Sequence, residues 1–512
     1  MKIVALNGQT CLKSAWNPHI WADGRTLQDA LPFRETGRIA PSNRMNFVSP
    51  PDVASVSRSK TNPASDLLDQ SALTALAERL VEAARRAGAD AADAVAVRGV
   101  AQSIEIRDGK VEESERSEGD DVGLRVLVGR RQAVVSSNDR SADAKVLAER
   151  AVAMARVAPE DAYAGLADPA LLAKTTPDLD LVDPDMPPVE ELERRAAEAE
   201  AAALAVRGVT KSGGASASVG VGGMVLVTST GFCGAYLRSS HGIAMTAIAG
   251  EGTAMERDYD FTSALHASDL AAPADIGRKA AERTVARLNP RKVATCKVPV
   301  VFAPRVAGSL IGHLVGAING ASIARKTSFL KDKLGAQLFK DTIRIVDDPL
   351  RRRGLRSQPF DAEGVAVKPM TLIENGVLTS WILDSTTGRE LGFATNGHAH
   401  RGTSSPPSPG SFNLYMEAGA IDKDALIADI SEGFYITDLI GSGVNGVTGD
   451  YSRGASGFWI ENGRISYPVS EVTIAGHLFD IFKSLTPASD LEFRYGVDSP
   501  TVRIEGLTVA GR

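Results

Sequence analysis

The sequence predicts an α+β protein. N-terminal helix/antiparallel-sheet domains, with a duplication suspected from their element order, precede a C-terminal antiparallel β-barrel-like domain. Three observations predict this. Residues 71–158 read as a helix, strands and a helix, and residues 189–288 repeat that order. The apolar period changes from 3.6 in the helices to two in the strands between them. Beyond residue 291 the chain is mostly of period two and carries two copies of Ile-Glu-Asn-Gly, Ile373–Gly376 and Ile460–Gly463. Each copy is a strong hairpin signal, because Asn-Gly tolerates positive φ at both central positions of a type I′ turn.

The boundaries expected are 1–65, 66–170, 171–290 and 291–512. Residues 1–65 are rich in Pro, Ser, Asn and Arg without a sustained period. They read as a flexible extension, or as sequence upstream of a start at Met45. A targeting peptide is the rival reading, against which Asp23, Asp29 and Glu35 count. In the 66–170 domain, Leu73, Leu76, Ala77, Leu80, Val81 and Ala84 make one helical face, with Ser71 as the expected start cap and Gly88 as the stop. Ile104 and Ile106 alternate with Glu105 and Arg107, and Asp108-Gly109 signals a type I′ turn. Leu124–Val128 and Gln132–Ser136 read as further strands, about five in all, before a helix that Ser141 opens.

Residues 159–188 carry many Pro and Asp residues and read as a linker. A helix over 189–206 opens the next unit. The small-residue stretch Gly213–Gly231, with Val219, Val221, Val225 and Val227 at period two, reads as tightly packed antiparallel strands. A helix over 273–288 closes the unit at Asn289-Pro290. The last domain opens with a strand, Val298–Phe302, and a helix over 303–318.

Composition excludes several function classes. The 512 residues carry a net charge of −6, and aromatics make up 5%. Neither a basic surface nor a base-stacking platform follows from this, so nucleic acid is not an expected partner. Arg351-Arg352-Arg353 is the densest basic cluster, but Asp347 and Asp348 precede it and it reads as a solvated turn. Cys11, Cys233 and Cys296 are few and far apart, which fits a reducing compartment and forms no zinc ribbon. No apolar run reaches the roughly 18–20 residues of a membrane helix. A cytoplasmic location is expected.

No motif among the residues specifies chemistry. The seven histidines are 19, 241, 266, 313, 398, 400 and 477, and no two stand at i, i+4. His398 and His400 face the same way on a strand and could grip one metal, given a third ligand from elsewhere. Their plainer reading is a polar strand end beside Arg401. His313 in mid-helix reads as a structural histidine. Gly441–Gly446 lacks the lysine of a phosphate loop, and Ser456 lacks the spacing of a nucleophile elbow.

Two C-terminal stretches are more telling. The first is Ser309-Leu-Ile-Gly-His-Leu-Val-Gly316, then Arg325-Lys-Thr-Ser-Phe-Leu330 and Lys333-Leu-Gly335. The second is Gly449-Asp-Tyr-Ser-Arg-Gly-Ala-Ser-Gly457, Ile460–Gly463 and Pro468–Gly476, followed by Arg503–Gly511. Together they resemble the PmbA/TldE branch of the TldD/PmbA metallopeptidase family, over roughly residues 68–512.

The resemblance implies a two-chain peptidase. A TldD-type homologue would carry zinc on a His-Glu-x-x-x-His helix and a C-terminal Cys, with the Glu as general base. The PmbA/TldE-type chain lacks that site. On this chain the sister motif falls on Gly312, His313 and Ala317, and no Cys follows Phe493. Glycine and alanine offer no side-chain ligand. The resemblance therefore implies no cofactor in this chain, zinc in a TldD-type partner, and unfolded peptides of leader or antitoxin type as substrate. His313, His398, His400 and Arg401 remain as candidates to line a cleft. The alternatives are an independent metallohydrolase using His313, His398 and His400, or a non-enzymatic regulator such as a DNA gyrase modulator.

Overall fold

A computed structural model describes residues 70–139, 141–441 and 443–511. The extension over 1–65, with His19 and Cys11, lies outside the described residues.

The first unit consists of α1 (Ser71–Arg86), β1 (Ala91–Arg107), β2 (Lys110–Val128), β3 (Arg131–Ser137) and α2 (Ala144–Val157). It holds three long strands in place of the five shorter ones expected, because β1 and β2 run unbroken through their Gly and Ser residues. Gln70, not Ser71, stands at the start of α1, and its amide donates to the Tyr236 carbonyl at 2.9 Å. Asp143, not Ser141, caps α2, accepting from the Lys145 backbone N–H at 2.8 Å. The Asp108-Gly109 turn is as expected, with φ of 52° and 72°.

The second unit repeats the order with α3 (Val189–Leu204), β4 (Val209–Thr228), β5 (Cys233–Ala249), β6 (Glu256–Ala264) and α4 (Pro273–Ala286). The two units share one antiparallel sheet in the order β3-β2-β1-β4-β5-β6. Their first strands pair at the centre, from Asp93 opposite Thr228 to Ile106 opposite Ala215. Strand order thus runs outward from this seam in both directions, as a duplicated αβββα unit requires. All four helices pack on one face. Ala92, Ala94 and Ala96 meet α1 and α2, while Ile104 and Ile106 meet α3 and α4. Residues of opposite parity, Val95 and Leu226, turn to the other face against Phe360 of the third domain.

The linker is not slack. Leu179 and Leu181 bury against Leu265. Asp180 binds Arg352 at 3.0 Å and Arg353 at 2.6 Å, while Arg351 stacks 3.3 Å over the Phe493 ring. The arginine run expected as a solvated turn therefore fastens the linker to the third domain.

The third domain begins with β7 (Cys296–Phe302), α5 (Pro304–Ala317) and α6 (Gly320–Ala324). Next come β8 (Ile345–Asp347), β9 (Met370–Glu374), β10 (Val377–Leu378), α7 (Ser385–Leu391), β11 (Ala399–His400), β12 (Ser408–Pro409), β13 (Leu414–Met416) and α8 (Lys423–Ile427). The chain ends with β14 (Glu432–Ile440), β15 (Asp450–Glu461), β16 (Arg464–His477), α9 (Leu478–Ser484), β17 (Thr486–Pro487), β18 (Val497–Asp498) and β19 (Val502–Ala510). Strands β16-β15-β14-β7-β19 form a sheet that β16 closes on β19, from Thr473 opposite Ala510 to Ala475 opposite Thr508. This is the expected barrel, antiparallel except where β7 runs parallel to β14. A smaller sheet, β10-β9-β8-β13-β18, lies beside it. Both Asn-Gly turns have positive φ at both positions, 49° and 78° at Asn375-Gly376 and 49° and 74° at Asn462-Gly463.

Candidate functional site

Helix α5 begins with Pro304 at its first turn, where a missing N–H costs nothing. Val306, Ala307, Leu310, Ile311, Leu314 and Ala317 form its buried stripe, in one core with Phe434 and Ile474 of the barrel and Ile345 and Leu372 of the small sheet. The helix approaches β18 closely, since a Cβ on Gly308 would stand 2.7 Å from the Val497 carbonyl oxygen. Gly312 and Gly316, four and eight residues on from Gly308, lie on the exposed side away from the buried stripe, and a Cβ at either would meet nothing within 4 Å.

His313 sits between these two surfaces. Its ring stands edge-on to Tyr451 of β15, with centroids 5.8 Å apart and planes at 71°. The His313 Nε2, the Tyr451 hydroxyl and the Arg453 Nε are all buried without a hydrogen-bond partner. Burial, helped by the Arg453 charge, lowers the His313 pKa to about 4. Burial raises that of Tyr451. At neutral pH the group is therefore a neutral imidazole, a neutral phenol and a guanidinium.

It does not fit zinc. A zinc site needs three or four N, O or S donors within about 2.3 Å of the ion, and the motif positions on α5 supply one imidazole. Ala317 is 5% exposed and packs in the core. Among the described residues no group of three His, Cys, Asp or Glu side chains could hold a metal ion.

His398 and His400 occupy a separate neighbourhood. Both rings pack on Phe412, at 5.3 and 4.6 Å between centroids, so they share a side as the strand period requires. His398 is fully buried, with Nδ1 3.0 Å from the Asn396 carbonyl and Nε2 3.4 Å from Asp347. The Asp347 oxygens are already engaged by the Phe412 backbone N–H. Burial, then the Arg356 and His398 charges, lowers the His400 pKa to about 3. Arg401 extends across the domain boundary to pair with Asp93 of β1, which also accepts from the Arg125 Nε at 2.8 Å.

Sequence reasoning missed the buried charges around this pair. Asp361, Glu363 and Asp384 lie in the interior, and burial raises the pKa of each. Asp361 accepts backbone N–H groups from Glu363, Val365 and Ala399, so it organises the loop that faces the N-terminal sheet. No local pattern marks these residues, because their partners are remote in the chain. Ser456 receives the Arg287 Nη2 at 3.0 Å and has no histidine base beside it.

Three family models match the chain in order. The PmbA/TldA metallopeptidase domain 1 covers residues 92–155, the central domain 182–288 and the C-terminal domain 295–511. The chain is 39% identical over 413 residues to metalloprotease PmbA of Escherichia coli O157:H7, covering 80% of this chain and 90% of that protein. It is 37% identical over 438 residues to a metalloprotease PmbA homolog of Haemophilus influenzae, covering 84% and 94%. The fold matches a crystal structure from Bacteroides thetaiotaomicron, described as a candidate modulator of DNA gyrase. The TM-score there is 0.79 at 27% identity, over 86% of this chain and 98% of that one. TldE from Thermococcus kodakarensis matches in fold with a TM-score of 0.76 at 19% identity, over 85% of this chain and 100% of that one. On these matches of sequence and fold, the chain belongs to the PmbA/TldD family of metallopeptidases.

Proposed function

We propose that this chain is the zinc-free subunit of a heteromeric, TldD/TldE-type metallopeptidase. It acts in the cytoplasm, joins a zinc-bearing TldD-type homologue and helps enclose unfolded peptides, of leader or antitoxin type, for cleavage. The observation that carries this reading is the α5 helix. The positions that hold His, Glu and His in the zinc-bearing homologue are Gly312, His313 and Ala317, which cannot assemble a metal site. The helix retains its packing, and His313 beside Tyr451 is a single buried imidazole with no second ligand on the helix. Among the described residues no helix is long and apolar enough to cross a membrane.

The test is elemental mass spectrometry on the chain purified alone without a metal-binding tag, followed by a peptidase assay with and without the TldD-type homologue. Near-zero zinc per chain, with cleavage only in the mixture, is expected. A zinc ratio near one, or zinc-dependent cleavage by the chain alone, overturns the proposal.

A further inference from the structure

Strand β2 is longer than the partner on its outer side. Strand β3 pairs only with Val122–Val128, while β1 pairs with β2 along nearly its whole length, from Lys110 to Leu127. The outer edge of Lys110–Asp121 therefore faces no strand among the described residues. At about 3.3 Å per residue this is an open edge of roughly 40 Å, with a row of backbone N–H and C=O groups available for pairing.

The edge is predominantly acidic. Its twelve positions hold six acidic side chains, Glu112, Glu113, Glu115, Glu118, Asp120 and Asp121, against Lys110 and Arg116. Some are engaged within the protein. Glu112 meets Arg107 at 3.1 Å, Glu118 meets Arg116, Asp120 meets Arg98 at 2.7 Å, and Asp121 accepts from Thr403. Glu113 and Glu115 have no ion-pair partner among the described residues. They share a face, and Glu113 stands directly opposite Glu105 of β1. Like charges placed opposite each other across two strands are destabilising; Glu105 is offset by Arg107 at 3.3 Å, which leaves Glu113 and Glu115 as the unpaired acids of this edge. A second copy of the chain is a poor occupant, since pairing the edge with itself sets acid against acid.

We propose that Lys110–Asp121 is a docking edge for an extended basic polypeptide segment, which adds a strand to the sheet in line with β3. Main-chain hydrogen bonds supply the register, as in other strand-addition complexes. Lys or Arg at alternate positions of the incoming segment meets Glu113 and Glu115 on one face. This surface is distant in sequence from α5, and it stands whether or not the chain works with a zinc-bearing partner.

The test uses the full chain and a twelve-residue peptide alternating Lys and Thr. Binding is read by fluorescence anisotropy, and the site by hydrogen exchange. In the free protein the 110–121 amides directed outward exchange fast, and the peptide protects them. E113K/E115K keeps the melting temperature and weakens binding about tenfold, as expected for two reversed pairs of modest strength. N-methylation of alternate peptide residues abolishes binding in one register only, while a Glu-Thr peptide does not bind. The proposal is overturned if the Lys-Thr peptide fails to bind or protects other amides. Equal binding by both N-methylated registers also sinks it, since attraction is then by charge alone. Slow exchange of the edge in the free chain sinks it as well, since the strand is then already occupied by residues of this chain or by a second copy.

Discussion

Arg401 of the third domain is ion-paired with Asp93 at the centre of the N-terminal sheet. Both side chains are buried, and Arg125 of β2 engages the same carboxylate. Burial alone raises the pKa of Asp93, but the Arg125 and Arg401 charges reverse this and hold it below its ordinary value. One carboxylate thus compensates two guanidinium groups from different domains.

Asp93→Asn is expected to cost about 3–5 kcal/mol of stability at pH 7, because it leaves buried arginines uncompensated. Urea unfolding at pH 7 measures this. The folded pKa is depressed, so the stabilisation is present above the unfolded value near 3.8 and is lost as pH falls through the lower folded value. The variant should lack that part of the acid slope. An unchanged midpoint at pH 7 would remove the clamp role.

His313 should titrate in the folded chain with a midpoint near its lowered pKa of about 4, against an ordinary value of 6.5. A depressed histidine opposes protonation in the fold. Stability is then lost as pH falls from 6.5 towards 4, by on the order of 1–3 kcal/mol. His313→Leu flattens that segment of the stability curve. An NMR titration with a midpoint at 6.5 contradicts the burial argument.

Gly463→Ala should cost more than Gly109→Ala, although both glycines have φ above 70°. A Cβ at Gly463 would stand 2.3 Å from the Ala428 carbonyl oxygen, whereas one at Gly109 meets nothing within 4 Å. Backbone strain of about 1 kcal/mol is common to both. The clash adds a further ~1–3 kcal/mol at Gly463, which thermal melts of the two variants compare directly.

The triple variant G312H/H313E/A317H restores the motif residues and should still yield no peptidase. Position 312 has room, but Ala317 lies in a packed core where an imidazole adds about 1–3 kcal/mol of strain. The Cys ligand and the groups that orient metal ligands are also missing. Zinc-dependent cleavage by this variant acting alone would contradict that account.

Much of the fold was legible because its signals are local. Leu73 to Ala84 form the buried face of α1, and Asp108-Gly109, Asn375-Gly376 and Asn462-Gly463 turn as their residue types demand. The caps expected at Ser71 and Ser141 differ in the structure: α1 starts at Gln70 without a side-chain cap, and Asp143 caps α2. The run Gly99 to Ser103 lies inside one long strand, because pairing on both sides outweighs weak local propensity.

By itself the sequence determined the α+β class and the repeated helix-strands-helix order, since each depends on residue types a few positions apart. Only the tertiary structure decided that two units share one sheet, that β16 closes on β19, that His398 and His400 are buried against Phe412, and that Arg401 meets Asp93. Those outcomes join residues far apart in the chain. What selects them is the combined burial, pairing and charge compensation of the folded whole, which no local period records.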